Sequence, residues 1–203
     1  MPTKNRIKEY APEAYYHVYN RGVNKRTVFL DNKDYTVFLS LFKRYLSDEQ
    51  SDQYNRSYED LSSEIKLLAY CLMPSHFHLL IYQDEASGMT NLLQRVLTSY
   101  SIYFNKRYQR VGPLFQDTYK ASRINSDEYL LHISRYIHLN PQNWRDWEFS
   151  SIDFYLGNKH AEWLDQKPIM DLFENKKDYH DFVADYEDYK RSLEEIKSEL
   201  ADH

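Results

Sequence analysis

The sequence predicts an α+β fold of the ferredoxin-like, split βαβ plan: an antiparallel sheet carrying both long helices on one face, with extra C-terminal helices. Two observations predict it. Aromatic and β-branched runs alternate with long stretches whose apolar residues recur at helical spacing, in the order strand, helix, strand, strand, helix, strand, helix. The two middle strands are separated only by Pro74 and Ser75, so they must form a hairpin or near-hairpin.

Each element has its own signal. Tyr15 to Asn20 is aromatic and β-branched and stops at Arg21-Gly22, a strand ending in a turn. Asp31 or Asn32 caps a helix with Val37, Phe38, Leu41, Phe42 and Tyr45 on one face, and a polar loop runs from Ser47 to Ser63. Glu64 to Met73 and His76 to Gln83 are the paired strands. Thr90 or Asn91 opens a second helix through Leu92, Leu93, Val96, Leu97, Tyr100, Tyr103 and Phe104, ending before Gly112-Pro113. Leu114 to Ile124 is the fourth strand. Ser126-Asp127-Glu128 places a cap and two acids at the start of a third helix, which runs to about Asn140-Pro141.

With 203 residues the chain fits one compact domain, 1–157, plus an acidic helical extension, 158–203. The extension, helical from about Ile169, is expected to be a solvated amphipathic appendage. Its residues 171–173 and 179–189 are candidates for packing back on the domain or screening a basic groove. The single Cys71 excludes an internal disulfide and any multi-cysteine metal site, so a metal must be held by His, Asn, Asp or Glu. The start MPTKNRIKEY lacks an apolar signal core, and no run approaches the roughly 18 apolar residues of a membrane span. A soluble, cytoplasmic protein is expected.

The net charge of -5 is unevenly distributed. Residues 161–203 carry -7 and residues 1–160 carry +2; within the latter, residues 89–123 hold Arg95, Lys106, Arg107, Arg110, Lys120 and Arg123 against Asp117 alone. A basic surface therefore survives the acidic total, and interleaved aromatics such as Tyr100, Tyr108 and Tyr119 make it a candidate track for unpaired nucleotides. The alternative is a solvated basic helix face with its aromatics in the core, and about half of these bases are assigned to nucleic-acid contact, by analogy with how such contacts divide. Asn20 and Arg21, ending the first strand, are candidates for nucleic-acid contact or for a turn.

His76 and His78 lie at i and i+2 of a strand and so project from the same face, a spacing that suits two imidazole ligands on one ion. Taken alone, the pair leaves both a metal site and two buried strand histidines open. In the third helix His132, Tyr136 and Asn140 fall at i, i+4 and i+8, a polar stripe, while Leu130, Ile133 and Ile137 supply the apolar face. Tyr136 and Asn140 are thereby free to face a site.

The segments HVYNRG (17–22), AYCLMPSHFHLL (69–80), NKRYQRVGPLFQDTYKA (105–121) and YIHLNP (136–141) together resemble the single-tyrosine transposases of the His-hydrophobic-His nuclease superfamily. Within it they most resemble the insertion-sequence-200-like group that includes the REP-associated tyrosine transposases, over about residues 10–157 and in family order. The resemblance implies that His76, His78 and Asn140 bind a divalent ion, Mg or Mn, and that Tyr136 attacks a DNA phosphodiester. It implies a 5'-phosphotyrosine, a free 3'-hydroxyl and single-stranded, often hairpin-bearing DNA as substrate. One tyrosine per chain then calls for a homodimer or successive reactions. Thr118 stands where family members often carry a basic residue. Two other readings remain: a domesticated relative that binds repeat hairpins with little or no cleavage, and a hydrolase in which metal-bound water is the nucleophile.

Overall fold

A computed structural model describes residues 10–47 and 58–186. Most of the polar loop expected between Ser47 and Ser63, and the tail beyond residue 186, lie outside the described residues. The elements are β1 (Ala14–Arg21), a 3-10 turn (Val23–Lys25), α1 (Asn32–Tyr45), β2 (Ile65–Met73), β3 (His76–Gln83), α2 (Gly88–Arg107), β4 (Lys120–Ile124), α3 (Asp127–His138), α4 (Ile152–Tyr155) and α5 (Lys167–Met170). Residues 176–186 are also helical. The strand order is β2-β3-β1-β4 with every neighbouring pair antiparallel, as the split βαβ plan requires.

The sheet has two differently used faces. Against one, Phe38, Leu41 and Phe42 of α1 and Leu92, Leu93, Val96 and Phe104 of α2 pack on Leu67, Leu72, Phe77, Leu79 and Ile81. Against the other, Leu130, Ile133 and Ile137 of α3 pack on Leu68, Ala69, Cys71 and Leu80. The near-continuous apolar runs of β2 and β3 reflect this double burial. A bulge in β2 between Leu67 and Ala69 puts two successive residues, Leu68 and Ala69, on the α3 side.

The expected caps are in place: the Asp31 side chain accepts from Asp34 N, and the Ser126 hydroxyl accepts from Tyr129 N. Asp34 itself is fully buried and accepts from Leu30 N, Tyr103 Oη, Tyr108 Oη and Arg107 Nη1, at 2.7 to 3.0 Å. This hub ties the start of α1 to the end of α2, and it satisfies a buried carboxylate with a cation and three hydrogen bonds.

Two expectations are corrected. The fourth strand begins at Lys120, not Leu114, because Leu114 and Phe115 turn into the core and the next residues are pinned to β1. Val23 N donates to Leu114 O and Gln116 N to Arg21 O, an isolated antiparallel bridge between Gly22 and Phe115, and Asn20 Nδ2 donates to Asp117 O; residues 116–119 bend out between this bridge and the Tyr19–Lys120 pair, so the ladder is interrupted. At that end Gly22 permits a close approach: a Cβ there would lie 2.3 Å from Arg26 O. The third helix ends at His138, and Asn140 follows in a tight turn with its N–H on Ile137 O.

The extension is also more than a solvated appendage. Tyr179 and Val183 are buried with Trp144, Ile152, Tyr155 and Ile169 in the same core as Leu68 and Ile137. Beneath them His138 is completely buried, with Nδ1 2.7 Å from Tyr179 Oη and Nε2 2.7 Å from Ser151 Oγ. As a neutral imidazole His138 either accepts from Tyr179 Oη at Nδ1 and donates from Nε2 to Ser151 Oγ, or donates from Nδ1 to Tyr179 Oη, which passes its own hydrogen to Ser134 Oγ, and accepts from Ser151 at Nε2. The partners of both ring nitrogens are hydroxyls, so a charged imidazolium would lose its water without gaining a countercharge.

Burial accordingly lowers the His138 pKa to about 3. Between that value and the unfolded value of about 6.5 the unfolded chain binds the extra proton, so the stability is full above pH 6.5 and is lost as pH falls. From pH 7 to pH 5 this one group should remove about 2 kcal/mol of unfolding free energy, measured by denaturant titration. His138→Asn should flatten that dependence while lowering stability at pH 7.

Candidate active site

Residues directly opposed across antiparallel strands share a face, so the register lays out the sheet surface on the α3 side. One row reads Cys71, His78, Tyr19, Lys120; the row toward the β2-β3 turn reads Met73, His76, Arg21; the row beyond reads Leu80, His17, Ser122. The α3 helix covers the β2 side of these rows and leaves the β1 and β4 side open. Tyr136 reaches over from α3 with its ring edge-on to two imidazoles, 5.4 Å from His78 and 5.8 Å from His17 between centroids.

The donors converge from three elements. His76 Nε2 lies 3.3 Å from Asn140 Oδ1, and His76 Nδ1 lies 3.1 Å from Ser75 Oγ. With its oxygen toward His76, Asn140 turns its amide hydrogens to the Tyr136 hydroxyl, which favours the phenolate; burial acts more strongly and raises the Tyr136 pKa. His78 Nδ1 lies 2.9 Å from His17 Nε2, which leaves Nε2 of His78 for the open site. Burial depresses all three histidines, His17 to about 4 and His78 to about 3, and His76 is lowered by burial against a smaller opposing effect of Asn140. Near neutral pH the site therefore offers neutral imidazole lone pairs.

This donor set fits a divalent ion. Two atoms bound to one ion at about 2.1 Å each sit about 3.0 to 3.4 Å apart, from octahedral to tetrahedral geometry. The observed 3.3 Å between His76 Nε2 and Asn140 Oδ1 falls in that range. Among the described residues no group of three or more His, Cys, Asp or Glu suits a metal, and the amide oxygen of Asn140 is the further donor beside His76.

The basic residues divide. Arg21, beside His76, donates Nε to Gln116, and Lys120 Nζ lies 6.0 Å from the Tyr19 ring centroid. Both line a cavity of about 420 Å³ with Tyr19, Ser75, His76 and Gln116. Asn20 is buried and spends its side chain on Asp117 O and Arg21 N, the turn role. Arg123 opposes Tyr16 and so projects to the α1–α2 face. On or beyond α2, Arg107 pairs with Asp31 and Asp34, Arg95 with Glu59, and Arg110 donates to Asn105, while Lys106 is exposed. None of these four shares a face with the His pair.

Three other tyrosines on α2 and α3 lie apart from the cluster. Tyr100 and Tyr103 bind Val28 O and Asp34 in the opposite layer, and Tyr129 lies two turns before Tyr136. Arg135, next to Tyr136 in the chain, is turned away from the phenol and nearly buried between Phe182 and Tyr186, its Nη1 on Phe182 O and its Nη2 2.7 Å from His132. Sequence reasoning missed His17, although the alternation of β1 carried the signal: a polar side chain two residues before Tyr19 on a central strand.

The chain matches the family described as "Transposase IS200 like" over residues 11–140. Comparison with curated proteins yields no match. Among solved structures it resembles a REP-associated tyrosine transposase bound to a REP hairpin, with a TM-score of 0.56 and 13% identity, covering 80% of this chain and 92% of that one. A Deinococcus radiodurans R1 protein carrying a provisional transposase name matches with a TM-score of 0.39 and 14% identity, covering 66% and 95%. At these identities the first likeness establishes the fold alone, and the second is too low to carry an argument.

Proposed function

Because the chain belongs to the IS200-like transposase family, we propose that it cleaves and rejoins single-stranded, hairpin-bearing DNA through a 5'-phosphotyrosine on Tyr136. One observation carries this reading: Tyr136, Asn140, His76 and His78 meet on an open part of the sheet, although they come from a helix, the turn after it and a separate strand. A Mg or Mn ion on His76, His78 and Asn140 would withdraw charge from a phosphate oxygen as the transition state forms. Because all three ligands are neutral, the full ionic charge stays available to the phosphate.

The protein's own groups do the rest. Tyr136 Oη attacks phosphorus, the P–O3' bond breaks, and a free 3'-hydroxyl leaves while the phosphate stays on the tyrosine. A 3'-hydroxyl attacking the phosphotyrosine reverses the exchange without an added energy source. Tyr136 is 41% exposed, which gives its proton a route to water. Its raised pKa means that the phenolate must be favoured when substrate binds. Arg21 and Lys120 flank the cavity beside His76, placed to hold the strand next to the scissile phosphate.

Incubation of the protein with labelled single-stranded hairpin DNA and Mn or Mg should give a covalent adduct. Binding without adduct would favour a domesticated binding protein, and cleavage without adduct would favour water as the nucleophile.

The bases around the site make a separate prediction. Arg21→Ala and Lys120→Ala should each weaken single-stranded DNA binding several-fold and lower the slope of log affinity against log salt by about 0.7. Arg107→Ala should leave that slope unchanged and lower thermal stability, because it strips Asp34 of its cation. Fluorescence anisotropy at several salt concentrations, with melting curves, checks both.

A further inference from the structure

His17 has no place in the proposed chemistry, yet it sits in the middle of the cluster, 8% exposed, on a central strand. Its Nε2 is 2.9 Å from His78 Nδ1, and its ring lies edge-on to Tyr136. We infer that His17 is a positioning residue: it accepts a hydrogen bond from Nδ1–H of His78 and so holds His78 in the tautomer whose Nε2 lone pair faces the site.

The argument is proton bookkeeping. Two nitrogens 2.9 Å apart must pair one donor with one acceptor. If His17 donates, His78 carries its proton on Nε2 and has no lone pair for an ion. If His78 donates, Nε2 is bare, and His17 keeps its own proton on Nδ1. Only the second arrangement agrees with a metal role for His78, on which this inference rests.

His17 does not act as a further ligand. Its Nε2 is already occupied by His78, and no cluster of three His, Cys, Asp or Glu among the described residues suits a metal. Metal-bound histidines usually give their second N–H to a carboxylate, a carbonyl or water, which fixes ring and tautomer. Here a neutral imidazole takes that place. A carboxylate would add negative charge beside the ion, whereas His17 orients His78 and leaves the ion's charge for the phosphate.

The test uses the full chain with His17→Phe, which keeps a ring and removes the acceptor, and His17→Gln, which keeps an acceptor oxygen. Mn binding is measured by calorimetry and electron paramagnetic resonance, and the His78 tautomer by nitrogen-15 NMR without metal. In His17→Phe, Mn affinity should fall 10- to 100-fold and His78 should shift toward the Nε2–H form; His17→Gln should recover most of both. Melting curves and the metal-free NMR keep the test valid if one variant is unstable. Unchanged Mn affinity and tautomer in folded His17→Phe, or a Gln variant no better than Phe, would overturn the inference. Wild-type protein with no Mn binding that depends on His76 and His78 would instead sink the metal reading, and this inference with it.

Discussion

Tyr136→Phe should abolish the covalent protein–DNA adduct, a loss on the order of 10⁴-fold or more in cleavage rate, because no neighbouring group can replace the nucleophile. Tyr100 and Tyr103 hold structural hydrogen bonds in the opposite layer, and Tyr129 is about 10 Å away along the helix. The substitution deletes one half-exposed hydroxyl and keeps the ring that packs against His17 and His78. Stability should therefore change by less than about 1 kcal/mol, and hairpin binding should persist. Adduct gels, anisotropy and melting curves on the same preparation separate these effects. Full adduct formation by Tyr136→Phe would refute the nucleophile assignment.

Metal removal should have the next largest effect. Chelation with EDTA, or His76→Ala, should lower adduct formation by about 10² to 10³-fold, the usual scale for losing one preorganised source of charge stabilisation. Added Mn should restore the chelated wild type and not the variant.

Asn140→Asp is more discriminating, since it keeps shape and donor atom but adds a negative charge. Mn should bind more tightly and cleavage should slow, because the carboxylate offsets charge that the phosphate needs and opposes phenolate formation at Tyr136. If Asn140→Asp cleaved as fast as the wild type, the neutral ligand set would have no catalytic meaning.

The readable parts of this protein were those governed by local rules. Aromatic and β-branched runs bounded by turn residues showed β1 and the β2–β3 pair, helical spacing showed α1 and α2, and short-range capping chemistry showed Asp31 and Ser126. The strand alternation placed His76 and His78 on one face, and helical spacing linked Tyr136 to Asn140. Less legible was the fourth strand. Its first six residues, Leu114 to Tyr119, mix apolar and aromatic side chains with Gln116, Asp117 and Thr118, and Phe115 alone of them bridges to the sheet, opposite Gly22, while residues 116–119 bend away with Asp117 O held by Asn20. No pattern within residues 114–119 reports a partner almost a hundred positions earlier.

The same limit explains the basic residues. As a row of charges, Arg95, Arg107, Arg110, Lys120 and Arg123 look alike, and Arg21 resembles any residue at a strand end. Their difference lies in which acids and which sheet face they meet: Arg107 is drawn to the buried Asp34, and Lys120 is set in the His78 row. The extension left two readings open, a solvated appendage or a segment packed back on the domain, and its buried residues follow the second. Residues 161–203 carry -7, a composition that says nothing of the buried positions Tyr179 and Val183, which are drawn into a core that α3 and β2 together create.

The sequence alone therefore determined the element order, the antiparallel split βαβ plan, the paired histidines and the Tyr136–Asn140 spacing. All of these depend on residues within a few positions of one another, where backbone geometry converts spacing into direction. Tertiary structure decided that α3 lies on the histidine face, that Tyr136 meets the His pair, that His17 buttresses His78 and that the bases divide between ion pairs and open site. Those outcomes depend on burial and on the neighbours that burial supplies, and neither exists until the chain has folded.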